Sequence, residues 1–333
     1  MSNLLELYIK LVGLVLFGLI LGRKLPAIVP TYISQFIFWV GAPVSIITFV
    51  QRVQLSNSVW IAPVIAYIAT FAGAILAWLA IQGRAYWRNT TTKLSTRGSL
   101  ILVAMVGNTG FLGYPITLSV ADNNYFAWAL FYDLLGTLFA AYGIGIVVGN
   151  CFSTRHSNNI SQKNSAQNSN VRKNNYFQNY FQRYFPSLQI IKIIIINPAL
   201  WGFGIGLVLR HYFIPQPIYQ GLEIFAWSSL ALSLILIGMR LSKLSSWHSL
   251  PLASLGLTIK MLLVPLVLGT TLKAFGLEKA AVEIIVLQMA MPPAFATLVI
   301  AEIFDLDRDL SVTAIALGSM VLLITLPIWL WLF

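Results

Sequence analysis

The amino-acid sequence predicts an all-α, polytopic membrane protein with ten transmembrane helices, and three observations lead to this fold class. Of the 333 residues, 58% are hydrophobic and only 9% are charged, whereas a soluble domain carries about 25% charged residues. The apolar residues form long continuous runs, and a helix that spans a bilayer needs about 20 such residues. The runs lack the short alternating pattern of membrane β-barrel strands. The expected surroundings of this chain are therefore a lipid bilayer.

The ten predicted spans divide around one long polar loop at 150–189. They cover residues 4–22, 31–50, 59–82, 98–121, 125–149, 190–209, 218–240, 249–272, 280–301 and 311–332. The loop is basic and rich in Asn and Ser, which is typical of a flexible linker. Near its end, aromatic residues at 176–185 recur with helical spacing and predict a short amphipathic helix at the membrane interface. The predicted domains are a first repeat at 1–149, this linker, and a second repeat at 190–333.

Basic residues in the loops predict the orientation of the chain. When loops are counted on alternate sides, fourteen lysines and arginines, Arg240 among them, fall on one side and four on the other. The positive-inside rule places the richer side in the cytoplasm. Both termini are then outside the plasma (inner) membrane, and the central loop is cytoplasmic. This topology accounts for the net charge of +11, so we expect no nucleic-acid partner.

Five spans on each side of the loop predict an inverted repeat, because an odd number makes the second half enter the membrane from the opposite side. Each half also contains one span with helix-breaking residues. The fourth span contains GNTGFLGYP at 107–115, and the ninth contains QMAMPPAF at 288–295. Irregular backbone at membrane depth is tolerated where it is buried or lines a wet cavity. Interruptions at matched positions predict that the two broken spans cross at a transport site, although proline kinks with glycines for helix packing are the alternative.

Candidate binding residues follow from the two interruptions, which supply freed backbone groups, close approach at glycines and polar side chains. In the fourth and ninth spans we assign substrate binding to Asn108, Thr109, Gly110, Gly113, Pro115, Gln288, Pro292, Pro293 and Thr297. Helix N-termini at such a crossing favour an anion.

Two charged residues within spans add to this site, since charges at membrane depth are costly and usually functional. Lys260 lies near the middle of the eighth span. It is predicted to balance the charge of an anionic substrate, and the alternative is an ion pair that locks the helix bundle. Asp133 lies in the fifth span. It is predicted either to carry a coupling ion or to be the partner of Lys260.

Other classes of protein find little support in the sequence. One cysteine and three widely spaced histidines do not suggest a metal site, and we expect no cofactor. The segment FDLDRDL at 304–310 lacks the glycine and glutamate spacing of a calcium loop and is predicted to be a helix-capping turn. The motifs HExxH and GxGD of intramembrane enzymes are absent from the sequence, so no enzymatic activity is expected. A passive channel or a membrane sensor is the remaining alternative.

The sequence resembles the auxin efflux carrier family in GNTGFLGYP, INPALWGFGIGL (196–207), IKMLLVPLV (259–267) and MPPAFATLVIAEIFDLD (291–307). This resemblance covers all ten spans but not the central loop. It implies two inverted five-helix repeats, with crossed broken helices in a transport domain that moves against a scaffold, as in bile-acid and sodium/proton carriers. It also implies that Pro115 and either Pro292 or Pro293 are the crossover prolines, and that Asn108 is the polar crossover ligand.

Together these inferences predict a secondary active transporter of a small organic anion such as a carboxylate. It would work by alternating access at a midplane site, coupled to a proton or sodium. The sequence leaves open whether the protein forms a homodimer.

The predicted topology can be tested by cysteine accessibility in a variant whose Cys151 is replaced. We expect an impermeant thiol reagent, added outside intact cells, to label Asn57→Cys and to spare Ser165→Cys. The first position lies in a loop predicted to be outside and the second in the central cytoplasmic loop. Labelling in the reverse pattern would overturn the orientation.

Overall fold

The computed structural model describes residues 2–26, 28–51, 53, 55–88, 91–121, 125–153, 196–242 and 249–333. Within these ranges the regular secondary structure is helical, and β-type pairing is confined to one isolated bridge between Gly107 and Pro293. This confirms the all-α class. Most of the predicted linker, including the aromatic segment at 176–185, lies outside the described residues.

Twelve helices account for most of the described chain. They are α1 Ser2–Lys24, α2 Val29–Val50, α3 Ile61–Arg88, α4 Leu94–Met105, α5 Tyr114–Val120, α6 Phe126–Cys151, α7 Pro198–Leu209, α8 Gln216–Leu241, α9 Leu250–Ala274, α10 Lys279–Met289, α11 Phe295–Ile303 and α12 Arg308–Leu332. Among the described helices, α2, α3, α6, α8, α9 and α12 are long and apolar enough to cross a membrane. The chain is therefore a polytopic membrane protein.

Helix starts are set by proline and by side-chain caps. Pro198 stands in the first turn of α7. A backbone N–H at this position would have no partner within the helix, so the absence of an N–H in proline costs nothing there. The side chain of Asn197 caps the same helix by accepting from the Ala199 N–H at 2.9 Å. Asp307 caps α12 by accepting from the Leu310 N–H at 3.0 Å, which confirms the predicted capping turn. Asp307 also accepts a hydrogen bond from the Thr96 hydroxyl at 2.8 Å and so ties α4 to α12.

Both intramembrane charges lie in short π-helical segments. Asp133 belongs to the segment Tyr132–Thr137 within α6, and Lys260 belongs to Thr258–Leu263 within α9. A third segment, Thr109–Gly113, leads into α5. A π-helical turn adds a residue to the helix and re-aims the side chains around it, and such turns are frequent at functional sites.

The helices form two packing groups. Helices α1, α2, α7 and α8 pack on one another and are called the four-helix group below. Helices α3–α6 and α9–α12 pack on one another and are called the crossover group. Contacts between the groups are sparser, and they include α8 against the segment Thr109–Gly113 and both α1 and α8 against α5.

Glycines allow the closest backbone approach within the four-helix group. A Cβ placed on Gly238 of α8 would collide with the backbone oxygen of Val15 in α1, and one placed on Gly18 of α1 would collide with the backbone of Ile235. Small residues at such contacts let membrane helices associate through backbone packing. The contact between α1 and α8 therefore requires glycine at both positions.

Two alanine substitutions on α8 test this packing. Gly238→Ala is expected to lower the melting temperature of the detergent-purified protein, because overpacking typically costs about 1–3 kcal/mol. Gly221→Ala is the matched control, since a Cβ there meets nothing within 4 Å. Removing that glycine from a helix is expected to be neutral or stabilising by up to about 1 kcal/mol. Equal melting temperatures for both variants would contradict the assigned contact.

Candidate functional site

The two broken spans meet through their backbones at the centre of the crossover group. Helix α4 ends at Met105 and α10 ends at Met289. The N–H of Asn108 donates to the oxygen of Pro292 at 2.7 Å, and the N–H of Ala294 donates to the oxygen of Val106 at 3.0 Å. Both interruptions predicted from the sequence are present, and each satisfies backbone groups that the other leaves free.

A glycine lies at the crossing as predicted, and this residue is Gly107. Pro115 does not lie at the crossing point. A Cβ placed on Gly107 would lie 3.1 Å from Cε of Lys260 and 3.3 Å from the oxygen of Met291, so a side chain there would fit only if these neighbours shifted by a few tenths of an ångström. Pro115 stands in the first turn of α5, beyond the π-helical segment. The residue that faces Pro293 in the bridge is Gly107.

After its break, the fourth span continues as the π-helical segment Thr109–Gly113 and α5. Asp133 faces the N-terminal end of this second half. Its carboxylate accepts hydrogen bonds from the Thr109 hydroxyl and, at 2.7 Å, from the Tyr114 hydroxyl. A Cβ on Gly110 would lie 3.1 Å from its Oδ2. The N-terminal end of a helix carries partial positive charge, so the carboxylate sits where negative charge is stabilised. The carbonyl of the Asn108 side chain caps the same end by accepting from the Phe111 N–H at 3.3 Å.

Lys260 lies by the other helix ends that meet at the crossing, which are the C-terminal ends of α4 and α10. The residue is only 3% exposed, and its side chain lies beside Gly107, as does the backbone oxygen of Met291. These residues follow the C-termini of α4 and α10, which carry partial negative charge. Within the part of the chain that the structure describes, no salt bridge joins Lys260 to Asp133. The two charges therefore act at different helix ends rather than on each other.

A cavity of about 560 Å³ lies between the two helix groups and reaches the crossover. Its walls come from α2, α7 and α8 on one side and from the crossover, α6, α11 and α12 on the other. Most of the lining is apolar. Its polar and charged side chains include Ser45, Asn108, Thr109, Asp133, Ser229 and Ser233.

The structure separates the predicted site residues into two sets. Asn108, Thr109, Gly110 and Asp133 line the cavity. The residues that lie behind this wall are Gly113, Pro115, Lys260, Gln288, Pro292, Pro293 and Thr297. Gln288 donates from Nε2 to the Thr117 hydroxyl at 3.1 Å, and its side chain fills the space beside Gly113. The Thr297 hydroxyl donates to the oxygen of Ala294 at 2.8 Å. These contacts stabilise the crossover on the side that faces away from the cavity.

Sequence reasoning missed the part of the cavity wall that the four-helix group provides. Ser229 and Ser233 both line the cavity from α8. Their spacing of four residues places them on one face of a helix. A polar pair on one face of an apolar span is the sequence signal that indicates this cavity wall. Arg240 also lines the cavity, although its sequence position suggested only a cytoplasmic helix end.

A cavity between two helix groups, closed at one end by paired broken helices, defines a class of protein, the membrane transporters. The comparisons agree, since the chain belongs to the membrane transport protein family, of auxin efflux carrier type, whose model matches residues 4–330. It is similar to an uncharacterised transporter of Methanocaldococcus jannaschii, with 25% identity over 269 residues, 81% of this chain and 77% of the relative. It is also similar to an uncharacterised transporter of Methanothermobacter thermautotrophicus, with 25% identity over 301 residues, 89% of this chain and 87% of the relative. The family indicates a transporter rather than an enzyme.

A double-mutant cycle tests the independence of the two charges. Asp133→Asn and Lys260→Met should each change the melting temperature of the purified protein, and the double variant should show the sum of the two changes. Unpaired residues are additive within about 0.5 kcal/mol, whereas partners in a salt bridge couple more strongly. A double variant markedly more stable than this sum would show that the charges pair.

Proposed function

We propose that this protein is a secondary active transporter of a small organic anion such as a carboxylate, working by alternating access. The observation that carries this proposal is the cavity between the two helix groups, which ends at the crossover and at the carboxylate of Asp133. Helix α11 begins there without a side-chain cap, and its first residues line the cavity. Free N–H groups at a helix start favour an anion.

The grouping of helices supports a ten-span architecture of two inverted repeats. Counting α4 with α5, and α10 with α11, as single broken spans gives ten spans in chain order. The first two spans of each half then belong to the four-helix group, and the last three of each half to the crossover group. The broken span is the fourth in each half. Such correspondence is expected when one five-span unit occurs twice with opposite orientation.

The cavity suggests an inward-facing state. It extends from the crossover towards the end of α8 near Leu241 and the beginning of α12 near Arg308, and the positive-inside rule puts these ends in the cytoplasm. Towards the other side of the crossover, aromatic rings close the boundary between the groups. Phe49 packs edge-on against Phe126 at 5.6 Å between ring centroids, and Phe203 packs against Phe131 at 5.4 Å.

Asp133 offers a means of coupling the anion to a cation. An ionised carboxylate in a largely apolar cavity repels an anion that shares the space, because charges interact strongly where water is scarce. A proton or a sodium ion bound at Asp133 removes this repulsion. By linkage, the anion must then strengthen binding of the cation by the same factor. We therefore assign ion coupling to Asp133, together with the hydroxyls of Thr109 and Tyr114.

Flux measurements in proteoliposomes test this function against its alternatives. Radiolabelled acetate, malonate and benzoate would be offered with a proton gradient, with a sodium gradient, and with neither. A coupled transporter should accumulate one of these probes above the level reached in protein-free liposomes under the same gradient, and only with a gradient of its coupling ion. A passive channel would equilibrate the probe without accumulation, and a sensor would show no flux.

Asp133→Asn is expected to separate coupling from translocation. The amide mimics the neutral, cation-bound carboxylate, so the variant should lose gradient-driven accumulation of the probe while retaining exchange of labelled for unlabelled probe. Asp309→Asn is the matched control, since Asp309 is exposed at the start of α12 and does not line the cavity. Accumulation that still follows the ion gradient in Asp133→Asn would refute this role.

A further inference from the structure

The cavity contains one basic side chain among the described residues that line it, and this residue is Arg240. It lies in the last turn of α8, so it belongs to the four-helix group. Lys260, the basic residue expected from the sequence to face the substrate, lies behind the crossover instead. A transported anion in this cavity would therefore meet Arg240 directly.

Arg240 is held in the cavity wall by an aromatic ring. Its guanidinium carbon lies 3.2 Å from the centre of the Phe295 ring, a contact that attracts the cation to the face of the ring. Phe295 is the first residue of α11, so the contact joins the two helix groups at the second broken span. Face-on stacking uses the flat face of the guanidinium and leaves the N–H donors at its edge available.

Two simpler roles for Arg240 do not account for this arrangement. An arginine near a helix C-terminus can reach out to the lipid headgroups, but Arg240 is half-buried and stacked against the cavity wall. It is also attracted electrostatically by Glu302. However, Glu302 accepts its hydrogen bond from Arg308, at 2.7 Å. Within the described chain, the guanidinium of Arg240 donates no side-chain hydrogen bond.

We propose that Arg240 binds the carboxylate of the transported anion and that Phe295 positions its guanidinium for this contact. The inference rests on the proposed transport function and deepens it by naming the residue that recognises the anionic group. Arginine suits this task because its planar fork matches the two oxygens of a carboxylate. Since Arg240 and Phe295 belong to different helix groups, an anion bound here lies at the boundary between the groups.

Thermal stabilisation by defined anions tests this assignment in the purified full-length protein. Acetate, malonate and benzoate serve as probes, with chloride at matched ionic strength as the reference, because a ligand raises the melting temperature of the state that it binds. At least one probe should stabilise the wild-type protein. Arg240→Gln should weaken its apparent affinity about 10- to 100-fold, the range expected for losing hydrogen bonds from a charged donor.

Three further variants sharpen the measurement. Arg240→Lys keeps the charge but not the fork, and should bind the probe more weakly than wild type but more strongly than Arg240→Gln. If Arg240→Gln does not fold, the comparison of Arg240→Lys with wild type still tests the assignment. Phe295→Leu removes the stacking and should weaken binding by a smaller factor. Arg23→Gln, which removes an exposed arginine at the end of α1 that does not line the cavity, should bind as wild type does.

The outcomes separate this inference from the function on which it rests. If none of the probes stabilises the wild-type protein, the proposed function fails and the assignment fails with it. If a probe stabilises wild type and Arg240→Gln equally, the assignment alone is wrong. If Arg23→Gln weakens binding as much as Arg240→Gln, the effect is one of general surface charge, and the assignment is wrong as well.

Discussion

The hydrogen bonds between the two broken spans are the constraint on which the rest of the molecule depends. A backbone N–H or carbonyl without a partner in the bilayer core costs several kcal/mol, and each interruption exposes such groups at membrane depth. Here the N–H of Asn108 reaches Pro292 and the N–H of Ala294 reaches Val106. Neither break would be stable without the other. The adjacent prolines 292 and 293 fit this arrangement because they bring no N–H that would need a partner.

The placement of the two buried charges follows from this crossing. Breaking two helices at the same depth brings two C-termini and two N-termini together, and each pair of ends carries partial charge of one sign. Lys260 lies by the C-terminal ends, and Asp133 lies by the N-terminal end at Gly110. Among the described residues, each charge is thus balanced by helix ends rather than by a fixed ionic partner. The exchange of a cation proposed for Asp133 would therefore break no salt bridge among the described residues.

The sequence was sufficient to predict the elements of this fold but not the direction of its side chains. Long apolar runs predicted most helix ends to within about four residues, although α3 continues to Arg88 rather than ending near 82 and α7 begins at Pro198 rather than at 190. The glycines and prolines at 107–115 and 288–295 predicted the breaks, because these residue types disfavour helix locally. Whether a residue faces the cavity depends on the helical phase on either side of a break. The π-helical segments shift that phase in α6 and α9. The sequence therefore predicts a substrate contact for Lys260, which lies behind the crossover, and only a cytoplasmic helix end for Arg240, which lines the cavity.

The contacts between the two helix groups differ in kind from those within them, and this difference bears on movement. Within the four-helix group, α1 and α8 touch backbone to backbone at Gly18 and Gly238, so a shift there would lose close packing. Between the groups, Ser233 lies 3.1 Å from the oxygen of Phe111 and 2.6 Å from the oxygen of Leu230 in its own helix. A hydroxyl has one proton to donate, so it can keep its bond to Leu230 when Phe111 moves away. The aromatic contacts at the same boundary are likewise edge-on and can re-form at another register. A rigid movement of one group against the other would therefore break replaceable contacts and preserve the crossover, as the proposed alternating access requires.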